Sequence, residues 1–146
     1  VGWVCEFCNK LVFSVFVTYD KLKFLDITYL NVAVYLASFD ALKEENITAV
    51  SIKWPNDILS GNKKICGVLI ENSLKGTEIS SSIIGIGLNV NQTSFPDSLK
   101  KASSLKFLSS QDFELDKLLE NIVSKLKAKI EILNSKDFQI LEMEYL

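Results

Sequence analysis

The chain has 146 residues and contains no histidine and only three cysteines. Cys5 and Cys8 form a C-x-x-C pair, a spacing used by zinc sites and by redox pairs. Without histidine and with only Cys66 remaining, a closed zinc site would need carboxylates or another chain. We therefore expect three reduced and mostly buried thiols, which suits the cytoplasm.

Charge and hydropathy exclude further classes of protein. The net charge is -2 and charges of both signs are interspersed, so no basic field recommends nucleic acid as a partner. No uninterrupted apolar run of about 18 residues exists, and no secretory signal opens the chain. With 48% apolar residues, the sequence predicts one soluble cytoplasmic domain with a sizeable core and no membrane span.

Apolar periodicity predicts an α+β fold. The predicted strands are 11–17, 47–54, 58–60, 63–70 and 77–91, and the predicted helices lie within 26–46, 113–133 and 136–146. The first helix is amphipathic and Asp26 is its candidate cap. Because tight turns join the central strands, we expect a mixed, mostly antiparallel sheet, with the Asp26 and Leu115 helices packed on one face.

The segment SIKWPNDILSGNKK gathers polar residues at a tight break between two apolar runs. Asn56 and Asp57 tolerate a tight turn, and the proline before them stiffens it. Hairpin geometry can bring three ammonium groups near this corner, those of Lys53, Lys63 and Lys64. Such a cluster describes a phosphate and magnesium site, and it also describes a solvated hairpin end.

The segment IIGIGLNVN places Gly85 and Gly87 at alternate positions of an apolar strand, followed by Asn89 and Asn91 on the same side. Glycine weakens a strand interior, so two glycines on one face predict either a ligand lying flat against the backbone, a bulge or close helix packing. Gly67 in the neighbouring predicted strand adds another bare position. The two strands together suggest one shared site.

These residues carry a family resemblance. IKWPNDILSGNKKICGVLIEN followed by SIIGIGLNVNQTSFP closely resembles the central catalytic domain of biotin protein ligases, the enzymes that attach biotin to carboxylases. The motifs stand in the family's order and at its separations. GWVCEFCNKLVFSVFV resembles more weakly the strand after the family's glycine- and arginine-rich loop. Departures from the family occur at Cys8, usually Gly, at Lys10, usually Asn, and at Cys66, usually Ala.

The resemblance implies a reaction, its substrates and its residues. Biotin would be ligated to a lysine of a carboxylase's biotin carboxyl carrier domain, with ATP and Mg²⁺, through biotinoyl-5'-AMP. Lys64 matches the catalytic lysine that bridges the biotin carboxylate and the α-phosphate. Asn56 and Asp57 match the polar corner near the phosphates, where Asp57 would hold magnesium and help to deprotonate the incoming lysine.

The remaining implied contacts surround the same ligand. Gly67 and Val68 would present backbone groups to the ureido ring of biotin, whereas Trp54 is more typical of the core. Further residues implied to bind biotin or the adenylate are Trp3, Gly85, Gly87 and Asn89, the last as a nucleotide contact.

The resemblance also implies that residues 1–146 are part of a catalytic domain, without the upstream biotin-binding loop and the C-terminal SH3-like domain. We therefore expect this segment alone to be inactive, and a homodimer is possible. Two alternatives stay open. One is acyl transfer like that of lipoate ligases and octanoyltransferases on the same fold, although their motifs usually lack K-W-P-N-D. The other is a noncatalytic ligand-binding or regulatory module.

Overall fold

The computed structural model describes residues 9–145, which form five strands and four helices. The elements are β1 (Lys10–Lys23), α1 (Ile27–Glu44), β2 (Val50–Lys53), β3 (Asp57–Ser60), β4 (Lys63–Lys75), β5 (Glu78–Asn89), α2 (Leu105–Ser109), α3 (Leu115–Asn134) and α4 (Phe138–Tyr145). Short 3-10 turns, Phe24–Asp26 and Asp97–Leu99, precede α1 and follow β5.

The strands form one sheet in the order β1-β5-β4-β3-β2, and every neighbouring pair is antiparallel. The predicted GN turn joins β3 to β4, where Ser60 pairs with Lys63 and Gly61 adopts a φ of +60°. Short loops allow strands to pair only in this antiparallel manner. The antiparallel prediction is confirmed, and the parallel contact between Lys64 and Ala102 is an isolated bridge.

Alternation along the strands separates a buried face of the sheet from an open one. In β5, Ile84, Ile86 and Leu88 are buried beneath the helices. On the opposite side, Leu69 of β4 and Ile83 of β5 are exposed. The prediction that the helices pack on one face is therefore confirmed, and the other face carries the site described below.

Helix α1 is more deeply buried than its pattern predicted. Seven consecutive residues, from Val32 to Ser38, are buried, so the centre of the helix contacts the core on most of its circumference. Asp26 stands at the predicted N-cap position of α1, although its side chain makes no capping hydrogen bond. By length and composition alone, the segment Phe24–Glu44 could cross a membrane, although it contains no uninterrupted apolar run of about 18 residues. In the structure, however, 56% of its most apolar 18-residue stretch is buried.

Helix α3 has the predicted amphipathic form, with Leu118, Ile122 and Leu126 buried. Its Lys129 is also buried, and its ammonium group pairs with Glu144 of α4 and lies 3.3 Å from Asp40 of α1. Burial acts to lower the pKa of Lys129, but these two carboxylates outweigh it and raise the pKa. The ion cluster therefore joins three helices.

Several boundaries differ from prediction. Strand β1 continues to Lys23, six residues past the predicted end, and β2 begins at Val50, three residues late. Helix α2 lies immediately after the predicted surface loop and was not predicted. Its N-cap is Ser104, whose hydroxyl accepts a hydrogen bond from the backbone N–H of Phe107.

Candidate functional site

A groove of about 530 Å³ crosses the open face of the sheet, from β1 over β5 and β4 to β3. Residues that pair across the strands form its floor. Asp57 pairs with Gly67, Gly67 with Gly87, and Gly87 with Val12. The next row on the same face contains Leu69, Gly85 and Ser14. The centre of the groove is therefore bare backbone with a carboxylate at one side.

The glycines Gly85 and Gly87 lie in regular sheet. Their pairing with β4 runs in unbroken register from Gly67 to Ser73, and the helices pack on the opposite face. The bulge and helix-packing alternatives are therefore wrong for this segment. A Cβ built on Gly85 would lie 3.6 Å from the Leu69 carbonyl oxygen, an ordinary contact. What glycine provides here is a low floor that a ligand can approach closely.

Lys64 and Asp57 form an ion pair over this floor, with 2.9 Å between Nζ and Oδ1. A Cβ built on Gly67 would lie 3.6 Å from Lys64 Nζ, so the ammonium group stands directly above that glycine. The side chains are 49% and 29% exposed, and pairs with such exposure stabilise a fold by roughly 0–1 kcal/mol. The pair is thus worth little to stability and is accessible to a ligand.

The segment after β5 fixes the backbone of this lysine. Lys64 N–H donates to the Lys101 carbonyl at 2.7 Å, and Ser103 N–H donates to the Lys64 carbonyl at 2.9 Å. The ammonium group of Lys63 donates to the Lys100 carbonyl at 2.7 Å. The prediction that Lys63 brings its charge to the polar corner at Asn56 and Asp57 is therefore wrong, because its ammonium group is bound by the segment after β5 instead.

Helix α1 anchors the polar corner formed by Asn56 and Asp57. The Trp54–Pro55 peptide is cis, and the hydroxyl of the buried Tyr35 donates to the Pro55 carbonyl. Burial raises the pKa of Tyr35 to about 12, with the Asp57 carboxylate acting in the same direction. Tyr35 therefore remains a protonated donor and holds the chain where Asn56 and Asp57 enter the groove.

Trp54 and Val68 lie next to this corner and differ in their burial. Trp54 is 43% exposed, and its indole N–H donates to the Tyr145 hydroxyl at 2.7 Å, so the prediction that it belongs to the core is wrong. Val68 lines the groove, but its side chain is buried and its N–H donates to the Asn56 carbonyl at 2.8 Å. That hydrogen bond ties the corner to β4.

The two predicted amides of β5 separate in the structure. Asn89 lies two positions beyond Gly87 on the open face, and its Oδ1 accepts a hydrogen bond of 3.0 Å from Gln92. Asn91 instead exchanges two hydrogen bonds with the backbone of Phe113, at 2.8 and 2.9 Å. Asn91 therefore fixes the approach to α3, while Asn89 stays on the open face of the sheet, opposite Lys10 of β1.

Cys66 lies beneath the groove on the helix side of the sheet and is buried. Burial raises the pKa of its thiol to about 12, against the opposing effect of the Lys64 and Lys10 ammonium groups. This confirms the expectation of a buried thiol at this position. Three other predicted residues lie outside the described part of the chain, namely Trp3, Cys5 and Cys8.

The described residues contain no group of three or more His, Cys, Asp or Glu side chains placed to hold a metal ion. Asp57 is the acidic residue of the groove. A single carboxylate does not make an all-protein metal site, but it fits Mg²⁺, which is commonly bound by one or two carboxylates together with substrate phosphates and water. The donor set therefore fits magnesium that arrives with a nucleotide.

Lys10 is a residue of the site that sequence reasoning missed. A Cβ built on Gly87 would lie 3.5 Å from its Cε and 3.8 Å from its Nζ, so its side chain covers that glycine. The sequence contained a usable signal, because alternation along β1 puts Lys10 on the same face as Val12 and Ser14. It was noted only as a departure from the family pattern.

Comparison with known proteins identifies the class. Residues 7–89 match the Biotin/lipoate A/B protein ligase family, and the chain belongs to that family. A bifunctional ligase/repressor BirA from Bacillus spizizenii is 45% identical over 75 residues, which cover 49% of this chain and 23% of that protein. For the protein of the same name from Bacillus subtilis the identity is 37% over 91 residues, 60% of this chain and 28% of that protein.

Solved structures of biotin protein ligases agree with the fold. The apo biotin protein ligase from Aquifex aeolicus superposes with a TM-score of 0.78 at 27% identity, over 94% of this chain and 59% of that one. The same enzyme in complex with biotin and ATP gives a TM-score of 0.77 at 27% identity, over 94% and 56%. The resemblance and the fold class are thereby confirmed, and the chain spans only about a quarter of the curated relatives' length.

Proposed function

We propose that the protein bearing this groove is a biotin protein ligase, which joins biotin to a lysine of a carboxyl carrier domain through biotinoyl-5'-AMP. The observation that carries the proposal is the Lys64–Asp57 pair standing over the bare Gly67 and Gly87 floor. The chain's family membership and the Aquifex aeolicus enzyme in complex with biotin and ATP support the same assignment.

In the first step the biotin carboxylate attacks the α-phosphorus of ATP and pyrophosphate leaves. Both reacting groups are anions, so they repel each other unless a cation lies between them. Lys64 is placed to do this, because its ammonium group stands above Gly67 and is half exposed. It would exchange Asp57 for ligand oxygens at small cost and stabilise the charge that develops.

In the second step the amine of the carrier lysine attacks the acyl carbon of the mixed anhydride, an amide forms and AMP leaves. That amine must lose a proton, and Asp57 is the carboxylate of the groove that can accept it. Magnesium, when bound, would neutralise phosphate charge with Asp57 as its protein ligand. The low floor over Gly85 and Gly87 would let the planar part of the ligand approach the backbone.

The carrier partner and the location belong to the same proposal. A carboxylase carrier domain supplies the acceptor lysine, and the free, buried Cys66 suits the reducing cytoplasm. We expect activity only from protein that also supplies the loop covering the adenylate.

The test is biotin-dependent exchange of pyrophosphate with ATP in the full-length protein. We expect Lys64→Ala to slow exchange by about 10²–10³-fold, as removal of one transition-state donor does. Lys63→Ala is the matched control, since its ammonium group is bound to the Lys100 carbonyl outside the groove. It should stay within about threefold of the native rate.

Three results would contradict the proposal. Native protein that exchanges pyrophosphate with lipoate or octanoate, and not with biotin, would move the function to the alternative acyl transfer. A native protein that binds ATP and catalyses no exchange would favour a noncatalytic module. Unchanged exchange in Lys64→Ala, with loss of carrier labelling only, would remove Lys64 from the first step. The fold should survive the substitution, because the pair contributes roughly 0–1 kcal/mol.

A further inference from the structure

A short turn between β2 and β3 carries the polar corner. Lys53 pairs with Asp57 across this turn, so the turn itself consists of Trp54, Pro55 and Asn56. Because Asp57 directly follows these residues, the conformation of the turn decides where its carboxylate lies in the groove.

Two backbone carbonyls of the turn are bound by other elements. The Pro55 carbonyl accepts a hydrogen bond from the hydroxyl of Tyr35 in α1. The Asn56 carbonyl accepts one of 2.8 Å from the N–H of Val68 in β4. These bonds fix the second and third residues of the turn, whereas the first residue, Trp54, is held through its side chain.

The Trp54 side chain contacts α4 at Tyr145. Its indole N–H donates a hydrogen bond of 2.7 Å to the Tyr145 hydroxyl, and the two ring centroids lie 6.2 Å apart. The indole also packs on Tyr35, with centroids 4.9 Å apart and ring planes inclined at 70°. The hydrogen bond therefore favours one orientation of the indole over the same tyrosine that binds the Pro55 carbonyl.

Helix α4 is itself held by two other helices. The Phe138 ring stacks on Tyr29 of α1, with 4.2 Å between centroids and an angle of 2° between the planes. The Glu144 carboxylate pairs with the buried Lys129 of α3. Helix α4 therefore presents its last residue, Tyr145, from a fixed position.

We propose that Tyr145 is a positioning residue for the reaction. By orienting Trp54 it fixes the start of the turn, and so keeps the Asp57 carboxylate where it pairs with Lys64 and would hold magnesium. The residues that line the described groove do not include Tyr145, so it acts through the turn and not by touching the ligand. The inference rests on the proposed function and extends it to α4.

The exposure of the two partners separates this role from a role in stability. Trp54 is 43% exposed and Tyr145 is 37% exposed. When their hydrogen bond is removed, water can bind the group that is left. We therefore expect its loss to leave the fold intact and to loosen the turn.

The test measures biotin-dependent pyrophosphate exchange in the full-length protein at a series of magnesium concentrations. Tyr145→Phe removes the hydroxyl and keeps the ring, Trp54→Phe removes the N–H donor, and the double variant removes both. Tyr19→Phe is the matched control, because it makes the same change on β1, at the opposite edge of the sheet from β2. Urea unfolding checks that each variant is folded under the assay conditions.

We expect Tyr145→Phe to lower the maximal exchange rate by about two- to tenfold, the range that loss of one hydrogen bond allows. The magnesium concentration for half-maximal rate should rise, because a misplaced Asp57 binds the ion less well. The KM for biotin should stay within about twofold. In a Trp54→Phe background, Tyr145→Phe should have no further effect, because the hydrogen bond is already absent. Tyr19→Phe should match the native protein.

Other results would overturn the inference. A native rate and a native magnesium dependence in Tyr145→Phe would show that the turn is fixed without α4. A slower rate with native magnesium dependence would show that Asp57 is not the group affected. Additive losses in the double variant would mean that the two residues act separately, and an equal loss in Tyr19→Phe would mean that the effect is not specific to the corner. The proposed function is judged separately, by whether the native protein exchanges pyrophosphate in response to biotin and whether Lys64→Ala slows that exchange.

Discussion

Replacing Gly85 by alanine adds one methyl group to the floor of the groove and changes little else. The added Cβ would lie 3.6 Å from the Leu69 carbonyl oxygen, which is ordinary van der Waals contact, and the backbone at Gly85 does not have the positive φ that favours glycine. The folded chain therefore accommodates the methyl group. A ligand lying against the floor does not, because the methyl stands in its path.

The two effects have opposite signs. Alanine at a compatible backbone position reduces the entropy of the unfolded chain and stabilises the fold by about 0.4–1 kcal/mol. Overpacking a close contact with one methyl group costs about 1–3 kcal/mol, which would weaken ligand binding by about 5- to 150-fold. We therefore expect a variant that is at least as stable as the native protein and binds biotin and ATP poorly.

The assay pairs urea unfolding with calorimetric titration of biotin, in the presence of ATP and magnesium, on full-length protein. Gly76→Ala is the matched control. Gly76 lies in the β4–β5 turn with a φ of +64° and nothing within 4 Å of its built Cβ, so alanine there is strained by about 1–2 kcal/mol. Its pattern should be the reverse, with lower stability and native affinity.

Native affinity in Gly85→Ala would refute the reasoning, because it would show that no ligand lies against this part of the sheet. A large loss of stability would also contradict it, since the contact distance predicts that the methyl group fits. If Gly76→Ala lost affinity to the same extent, the effect would be general destabilisation and the groove would not be its cause.

Two further predictions concern buried hydroxyl and thiol groups. Tyr35→Phe removes the hydrogen bond to the Pro55 carbonyl, so we expect a loss of about 1–3 kcal/mol in unfolding free energy and slower pyrophosphate exchange. Tyr29→Phe, which loses a surface hydrogen bond to Glu142, is its control, and equal exchange rates would contradict a positioning role. Because burial raises the pKa of Cys66 from 9.0 to about 12, the unfolded chain loses the thiol proton first. Stability should be full below pH 9 and fall towards pH 12 by up to about 1.4 kcal/mol per pH unit, and urea titration of Cys66→Ala should show a shallower fall.

Local chemistry explains which features could be predicted from sequence. The GN turn, the antiparallel strands and the apolar face of α3 follow from nearest neighbours along the chain. The spacing of Gly85 and Gly87 was enough to suggest a bare face, and the two motif segments around Lys64 and Gly85, in their order and separation, were enough to show the family resemblance. Each of these features depends on a period or a motif that is complete within a few residues.

Contacts between distant segments explain the failures. Lys63 and Lys64 are adjacent and chemically identical, yet the Lys100 carbonyl takes one ammonium group and Asp57 takes the other. Trp54 was expected in the core, but it is exposed and bonds to Tyr145, 91 residues away. No local pattern contains the position of a partner so far along the chain.

The sequence by itself determined the order of the elements apart from α2, the faces of the strands and the motifs of a biotin ligase, because turn residues, alternation and glycine act through their immediate neighbours. Tertiary structure alone decided which cations occupy the groove. Lys10 and Lys64 are 54 positions apart, and only the pairing of β1 with β5 and of β5 with β4 places them over adjacent glycines. That pairing depends on burying one face of the whole sheet beneath the helices, which is a property of the folded chain.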